Sequence, residues 1–123
     1  MDSRKAKGGS NRQMSEGYEI EPGEAEKQLA SKQAVLLDVR EPEEFAVAHL
    51  DNSVLIPMQN IPPQLQQVEQ MADQGTLLVL CHHGVRSLQV VAWLRGQGIE
   101  NCYSVTGGID RWSRELDPSV PRY

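Results

Sequence analysis

The sequence is poor in cysteine, in aromatic residues and in long apolar segments. Its 123 residues include two cysteines, Cys81 and Cys102, which form no CxxC pair and have no metal-ligand spacing. A structural disulfide is therefore not expected. No apolar run approaches the ~20 residues of a membrane span, and the amino terminus lacks the apolar core of a secretory signal. These absences predict a cytoplasmic protein with no membrane partner.

Positive charge is also scarce in the main part of the chain. Residues 1–17 hold four basic and two acidic side chains, which leaves eight basic and 15 acidic ones in residues 18–123. The acidic part shows no basic stripe, so nucleic-acid partners are not expected. Residues 1–17 are polar and nearly free of large apolar groups, which predicts a disordered tail or a leader. A hydrophobic content of 39% fits one domain over residues 18–123.

The most informative segment is CHHGVRS, residues 81–87. The apolar run at residues 76–80 predicts a buried parallel strand, so Cys81 is expected where that strand ends. Gly84 permits a tight turn, and Ser87 is expected to cap the helix that follows. In open α/β sheets, ligands bind beyond the carboxyl ends of the strands, facing helix amino termini. The segment therefore predicts a ligand-binding loop that begins with a cysteine.

The residue types of this loop predict a reactive thiolate. Free backbone N–H groups and a helix amino terminus both favour negative charge at their focus. Arg86 adds a permanent cation and the two histidines add partial positive charge, so ionisation of the Cys81 thiol becomes easier. We therefore expect Cys81 to be the catalytic nucleophile. The residues expected to form the active loop and bind the substrate are His82, His83, Gly84, Val85, Arg86 and Ser87.

The interval of four residues between Cys81 and Arg86 resembles the active loop of the rhodanese-like sulfurtransferases. In that family the cysteine carries the transferred sulfur as a persulfide, whereas protein tyrosine phosphatases and the related arsenate reductases have five residues in this interval. The resemblance covers roughly residues 18–123. Its further motifs are LDVREPEEF at residues 37–45, His49, Ile56 with Pro57, TGGI at residues 106–109, and Trp112. On these motifs the chain is identified as a single-domain rhodanese-like protein.

The resemblance implies a covalent reaction in two steps that needs no cofactor. Cys81 takes sulfur from a small anionic donor such as thiosulfate, or from a persulfide, and passes it to cyanide, a thiol or a protein. A persulfide relay to a protein partner stays open as an alternative. A phosphatase or arsenate reductase is disfavoured by the short loop, and a non-catalytic binding module is disfavoured by the presence of Cys81. The sequence does not indicate the oligomeric state or the physiological donor and acceptor.

Four polar residues outside the loop are expected to support it. Asp38, Arg40, Glu44 and His49 are predicted to form a buried polar network, because buried charges must be paired. Asp38 and Arg40 are the main loop-supporting candidates. Their role is expected to be structural rather than chemical.

The remaining marked residues have structural interpretations. Cys102 and Trp112 are expected to pack in the core. The adjacent His82 and His83 are not expected to hold a metal ion, because neighbouring side chains on a tight loop do not easily converge on one ion. Asn52 lies in DNS, residues 51–53, where the family usually has a glycine-alanine step. Asparagine tolerates left-handed backbone angles, so Asn52 is expected to keep this turn.

Strands and helices alternate along the sequence, which predicts an α/β fold with a five-stranded parallel sheet and helices on both faces. The resemblance implies that this fold is of the rhodanese-like type. The predicted strands are residues 18–20, 34–38, 53–56, 76–80 and 101–105. The predicted helices are residues 22–31, 42–48, a helix capped by Asn60 and ended by Gly75, residues 87–97, and residues 109–116.

Overall fold

The computed structural model describes residues 17–123. Its five strands are β1 (Glu19–Ile20), β2 (Ala34–Asp38), β3 (Val54–Leu55), β4 (Thr76–Leu80) and β5 (Cys102–Val105). They form one sheet in the order β1-β5-β4-β2-β3, and every neighbouring pair is parallel. The predicted five-stranded parallel sheet is therefore confirmed. The tail or leader predicted for residues 1–17 lies outside the described residues, except for Gly17.

Five α-helices connect the strands. They are α1 (Pro22–Ala30), α2 (Pro42–Val47), α3 (Leu65–Gln74), α4 (Val85–Gly96) and α5 (Gly108–Glu115). Ala25 of α1 and Trp112 of α5 belong to one hydrophobic cluster, whereas Val68 of α3 and Leu94 of α4 belong to a second. The prediction of helices on both faces of the sheet is confirmed, and Trp112 packs in the core as expected.

Side chains of the central strands alternate between these two clusters. Leu37 of β2 and Val79 of β4 point into the cluster with α3 and α4, and Leu36 and Leu78 point into the cluster with α1 and α5. All four are at most 2% exposed. Burying one such side chain stabilises the fold by roughly 1.5–3 kcal/mol relative to leaving it in water. Because both faces are covered, these strands read as nearly continuous apolar runs.

The parallel arrangement brings the carboxyl ends of the strands to one edge of the sheet. The amide of Val39 donates to the carbonyl of Leu80 over 3.0 Å, which extends the pairing of β2 and β4 to their last residues. Cys81 follows directly after β4, and the turn containing Gly107 follows β5 by one residue. This edge therefore collects residues from distant parts of the chain.

The fourth helix begins earlier than the sequence predicts. Gly84 adopts a left-handed φ of 99° and turns the chain directly into α4 at Val85, so Ser87 lies in the first turn and is not the cap. A cap at Ser87 was therefore a wrong prediction. Only a residue without a Cβ adopts this φ easily, which allows the helix to start two residues sooner.

The third helix begins later than predicted, and Asn60 does not cap it. Two 3₁₀ turns, Met58–Asn60 and Pro62–Gln64, precede α3, and neither has a side-chain cap. The two prolines have no N–H to donate, so the α-helical hydrogen-bond pattern starts only after them. The other elements agree with the predicted bounds to within one residue. Asn52 has a φ of 64°, which confirms the left-handed turn. Within residues 17–123, no helix has the length and apolar character needed to cross a bilayer.

Candidate active site

Cys81 lies at the base of a loop whose backbone N–H groups point at its sulfur. The amide of Gly84 donates to Sγ over 3.0 Å and the amide of Ser87 donates over 3.3 Å. Cys81 is only 1% exposed, so its sulfur lies at the bottom of a cradle rather than on the surface. Backbone donors that converge on one atom stabilise negative charge there. The loop therefore directs two hydrogen-bond donors at the sulfur of Cys81.

The hydroxyl of Ser87 turns inward and joins a short chain of hydrogen bonds. Ser87 Oγ lies 3.3 Å from Cys81 Sγ and 2.7 Å from Oγ of Ser104, a residue of β5 that is fully buried. When Cys81 is a thiolate it has no proton to donate, so Ser87 must donate to Sγ. Ser87 Oγ then accepts a hydrogen bond from the Ser104 hydroxyl, and the two hydroxyl dipoles point towards the sulfur.

The first turn of α5 holds the backbone of the loop from behind. The amide of Ile109 donates to the carbonyl of Cys81 over 2.9 Å, and the amide of Asp110 donates to the carbonyl of His82 over 3.1 Å. A Cβ on Gly108 would come within 2.4 Å of the His82 oxygen and 2.5 Å of the Cys81 oxygen. These hydrogen bonds fix the first two peptide units of the loop, which precede the Gly84 and Ser87 amides that face the sulfur.

Arg86 is paired with a glutamate at the rim of the cradle. Its two terminal nitrogens donate to the two carboxylate oxygens of Glu44 over 2.8 and 2.9 Å. The Arg86 and Glu44 side chains are 32% and 21% exposed, so the pair is partly open to water. The hydrogen bonds from Arg86 lower the pKa of Glu44 to about 2, so this carboxylate is charged at neutral pH.

Asp38 and Arg40 form a second pair, which is fully buried beneath the loop. Arg40 Nε donates to Oδ1 of Asp38 over 2.9 Å and Nη2 donates to Oδ2 over 2.7 Å. Both side chains are 0% exposed. Burial disfavours the charged guanidinium, but its hydrogen bonds to Asp38 and Tyr123 outweigh burial and raise the pKa of Arg40. Such a pair keeps a fixed geometry, since breaking it would leave an uncompensated buried charge.

Tyr123 links the two ion pairs. Its hydroxyl accepts a hydrogen bond from Nη1 of Arg40 over 2.8 Å and donates to Oε1 of Glu44 over 2.9 Å. Its ring stacks on His82 with the ring centroids 3.9 Å apart. Burial, followed by the neighbouring His83, holds the pKa of His82 below its ordinary value, which favours a neutral ring at neutral pH.

Asp110 lies close to His82 and His83, so the structure offers three possible ligands for a metal ion where the sequence indicated only two. One ligand atom from each, and one from Asp110, all lie within 4.8 Å of one another. The two rings lie against each other, with centroids 3.8 Å apart and an angle of 31° between their planes. The two oxygens of Asp110 accept hydrogen bonds from Arg122 and Arg114 over 3.1 Å each. This arrangement fits a metal ion poorly.

Two other predicted residues lie away from the cradle. His49 was expected in the buried network, but it is exposed, with its ring stacked on Phe45 and Nδ1 2.9 Å from the Phe45 carbonyl. That prediction was wrong, because the residue that packs inward at this point is Ala48, whose carbonyl accepts from Arg40. Cys102 is buried as expected in the core at the opposite end of the sheet from Cys81.

Three residues of this site were not singled out for it by sequence reasoning. Ser104 is a polar residue within a short apolar strand, and a buried hydroxyl needs a partner, so its position carried a usable signal. Gly108 was part of a recognised motif, although only the structure shows which carbonyls it contacts. Tyr123 lies in a coil after two prolines, and nothing in its sequence surroundings indicates that it reaches Arg40 and Glu44.

Known proteins resemble this chain in both sequence and structure. The sequence model described as "Rhodanese-like domain" matches residues 21–115. The thiosulfate sulfurtransferase GlpE of Vibrio cholerae serotype O1 is 36% identical over 95 residues, which are 77% of this chain and 87% of that protein. A crystal structure of a rhodanese-related protein from Thermoplasma volcanium has a TM-score of 0.72 and 30% identity, covering 86% of this chain and 99% of the other.

The geometry defines the class of protein, which is an α/β protein with a parallel sheet and a cysteine loop at the carboxyl ends of its strands. The chain belongs to the rhodanese-like domain family, as the sequence predicts. The chloroplastic rhodanese-like/PpiC domain-containing protein 12 of Arabidopsis thaliana is 37% identical over 92 residues, which are 74% of this chain. This chain spans only 31% of the length of that relative. The family thus occurs both as small proteins and within longer ones.

Proposed function

We propose that the protein is a sulfurtransferase that moves sulfane sulfur from a donor to a thiophilic acceptor through a persulfide on Cys81. The observation that carries this proposal is the convergence of the Gly84 and Ser87 amides on Cys81 Sγ. These donors stabilise the attacking thiolate, and the loop amides also stabilise the anionic outer sulfur of the persulfide. The remaining loop residues, from His82 to Arg86, form the wall and rim that the donor meets.

With thiosulfate as donor, both steps balance without a cofactor. The thiolate of Cys81 attacks the outer sulfur, the bond between the two sulfurs of thiosulfate breaks, and its electron pair leaves with sulfite. The products are the Cys81 persulfide anion and sulfite, so total charge is conserved. Cyanide or a thiolate then attacks the outer sulfur, and Cys81 is released as a thiolate. No general acid is required, because the leaving groups are stable anions.

The buried Asp38–Arg40 pair supports the loop rather than reacting. Both side chains are fully buried, and the backbone of β2 and β4 joins them to the start of the loop through Val39 and Leu80. Arg86 lies on the rim, where it is free to orient a donor only if it loosens its contact with Glu44. The proposal gives Arg86 a positioning role.

A relay of persulfide sulfur to a protein acceptor uses the same chemistry and is the second candidate. The pairing of Arg86 with Glu44 favours it, because a rim with a neutralised arginine attracts small anions weakly. Phosphatase chemistry is less well supported, because the loop has one residue fewer than the phosphatase loop. The prediction of a cytoplasmic location belongs to this proposal, since a reducing compartment keeps Cys81 free to react.

Intact-protein mass spectrometry after incubation with thiosulfate tests the proposal. We expect a mass gain of about 32 Da that is lost on addition of cyanide, as a covalent sulfur intermediate requires. The Cys81→Ser variant should show no gain, whereas Cys102→Ser should behave like the wild type. If thiosulfate gives no gain, a small organic persulfide is offered next. Absence of a gain with both donors would contradict the proposed sulfurtransferase function.

A further inference from the structure

We propose that Glu44 is a specificity-determining residue that disfavours strongly anionic donors, so that the preferred donor is a persulfide with at most one negative charge at its sulfur end. This inference rests on the proposed function and names the substrate class of the same site. It concerns the rim of the cradle rather than the amides at its base.

The contacts of Glu44 fix its carboxylate beside the one arginine of the loop. Arg86 donates to both carboxylate oxygens, and the Tyr123 hydroxyl donates to Oε1 as well. Tyr123 is in turn held by the buried Arg40. A carboxylate with three hydrogen-bond donors and a rigid backing does not move aside without losing several charge-assisted contacts.

The charges around the loop balance closely. Arg86 is neutralised by Glu44, and Arg40 is neutralised by Asp38. His82 favours its neutral form, because burial holds its pKa below the ordinary value. Among the described residues, neither arginine close to the loop is left with an uncompensated positive charge. The attraction for an anion therefore comes mainly from the backbone amides.

A donor of charge −2 is affected by this balance more than a donor of charge −1 or 0. Interaction with a fixed charge scales with the charge of the ligand, so the attraction to Arg86 that Glu44 cancels is twice as large for a dianion such as thiosulfate as for a monoanion. The loop amides stabilise only the small anion that fits among them. A persulfide places one sulfur there and keeps its carrier group outside the cradle.

The persulfide reaction is balanced in the same way as the thiosulfate reaction. The Cys81 thiolate attacks the outer sulfur of a protonated persulfide, the sulfur–sulfur bond of the donor breaks, and the electron pair leaves on the inner sulfur as a thiolate. The outer sulfur keeps its proton and becomes the terminal sulfur of the Cys81 persulfide. No oxidant or reductant takes part, because sulfane sulfur is only exchanged between thiols.

Alkylation of Cys81 by a matched pair of reagents tests the inference. The Cys81 thiolate attacks the iodine-bearing carbon of iodoacetate or iodoacetamide and iodide leaves in both cases, but only iodoacetate carries a charge. The ratio of their rates therefore cancels any change in thiolate population and reports the electrostatic selection at the rim. Peptide-level mass spectrometry restricts the measurement to Cys81.

In Glu44→Gln, the ratio of the iodoacetate rate to the iodoacetamide rate should rise about threefold to tenfold, as expected for one charge removed from a partly exposed site. Glu43→Gln is the matched control, since it removes the same charge from an exposed neighbour and should change the ratio by less than about 1.5-fold. The relative kcat/KM for thiosulfate over a small organic persulfide should rise in parallel in Glu44→Gln only.

An unchanged ratio in a folded Glu44→Gln variant, or an equal rise in Glu43→Gln, overturns the inference. If the variant does not fold, the wild type is measured at increasing salt. The ratio should change little, because the charges of Arg86 and Glu44 balance, and a steeply falling ratio would mean that the rim attracts anions and that the inference is wrong. If neither donor forms a persulfide, the proposed function fails, while the alkylation ratio still decides the role of Glu44.

Discussion

The two cysteines are equally buried but have opposite surroundings. Cys81 is 1% exposed and Cys102 is 0% exposed, and they lie near opposite ends of the neighbouring strands β4 and β5. The sulfur of Cys81 accepts hydrogen bonds from the amides of Gly84 and Ser87. The sulfur of Cys102 instead donates to the carbonyl of Ile99 over 3.4 Å.

The difference shows that hydrogen-bond polarity, rather than burial, distinguishes the surroundings of Cys81, the proposed nucleophile, from those of Cys102. N–H donors favour the charged sulfur, whereas a carbonyl acceptor requires that the proton remain on it. Burial raises the pKa of Cys102, and nearby Arg95 only partly opposes this effect. The two ends of the parallel strands supply these two environments. At the carboxyl end, amides of the loop and of the start of α4 converge on the sulfur of Cys81, and at the amino end a carbonyl faces the sulfur of Cys102.

The largest expected effect comes from replacing each cysteine by serine. Cys81→Ser should lose sulfur transfer and alkylation completely, because the nucleophile is gone. Cys102→Ser should keep transfer within about twofold and lose about 1 kcal/mol of unfolding free energy from the core. Sulfur-transfer kinetics and urea unfolding measure the two quantities. Equal loss of transfer in both variants would break the comparison.

The second effect tests the contact between α5 and the loop whose amides donate to Cys81. Gly108→Ala should lower the rate of Cys81 alkylation by about 100-fold and the unfolding free energy by about 2 kcal/mol, because its Cβ would overlap the carbonyls of His82 and Cys81. Gly96→Ala is the control, since a Cβ there meets nothing within 4 Å. Rates are followed with iodoacetamide. A Gly108→Ala protein with wild-type alkylation would show that the loop does not depend on α5.

A smaller effect concerns the hydroxyls of Ser87 and Ser104, which are hydrogen-bonded to each other beside the sulfur of Cys81. Ser104→Ala should slow alkylation at neutral pH about threefold, because Ser87 loses the partner that orients its hydroxyl towards the sulfur. Ser113→Ala is the matched control: this buried hydroxyl donates to the carbonyl of Val120, far along α5. Both variants should lose about 1 kcal/mol of unfolding free energy. Only a loss of alkylation rate that is confined to Ser104→Ala supports a role for the hydrogen-bonded hydroxyls of Ser87 and Ser104.

The smallest effect is on the stability of the rim. The pKa of Glu44 in the folded protein, about 2, lies below its ordinary value of 4.5. Its pair with Arg86 therefore stabilises the fold fully above pH 4.5, and this contribution is lost as the pH falls towards 2. After allowance for solvent screening, the wild type should exceed Glu44→Gln by about 1 kcal/mol at pH 7. Urea unfolding between pH 7 and pH 3 checks this, and a difference that grows on acidification would refute it.

The parallel sheet and the order of strands and helices along the chain were predictable from the sequence, because both faces of the sheet are buried. The apolar runs of β2 and β4 were bounded correctly to the residue, since buried strands have a strong and local signal. The starts of α3 and α4 were missed for local reasons of backbone chemistry. Pro62 and Pro63 delay one helix, and the left-handed Gly84 advances the other.

The site was predictable where its residues are adjacent in sequence and unpredictable where they are not. Cys81 and its loop are contiguous, so the short segment was sufficient to place them at the sheet edge. The contacts of Tyr123 and Ser104 depend on tertiary packing across 83 and 17 residues, respectively. His49 was misplaced for a related reason, because the extended segment after α2 buries Ala48 and exposes His49, and the sequence pattern did not distinguish them.

The hydrogen bonds from α5 to the loop have a consequence for the order of events on the ribosome. Cys81 is synthesised before Ile109 and Asp110, yet the amides of these two residues hold the carbonyls of Cys81 and His82. In a nascent chain the loop therefore lacks these two hydrogen bonds until α5 has been made and has docked. The backbone surroundings of Cys81 are completed only by a helix that is synthesised after it.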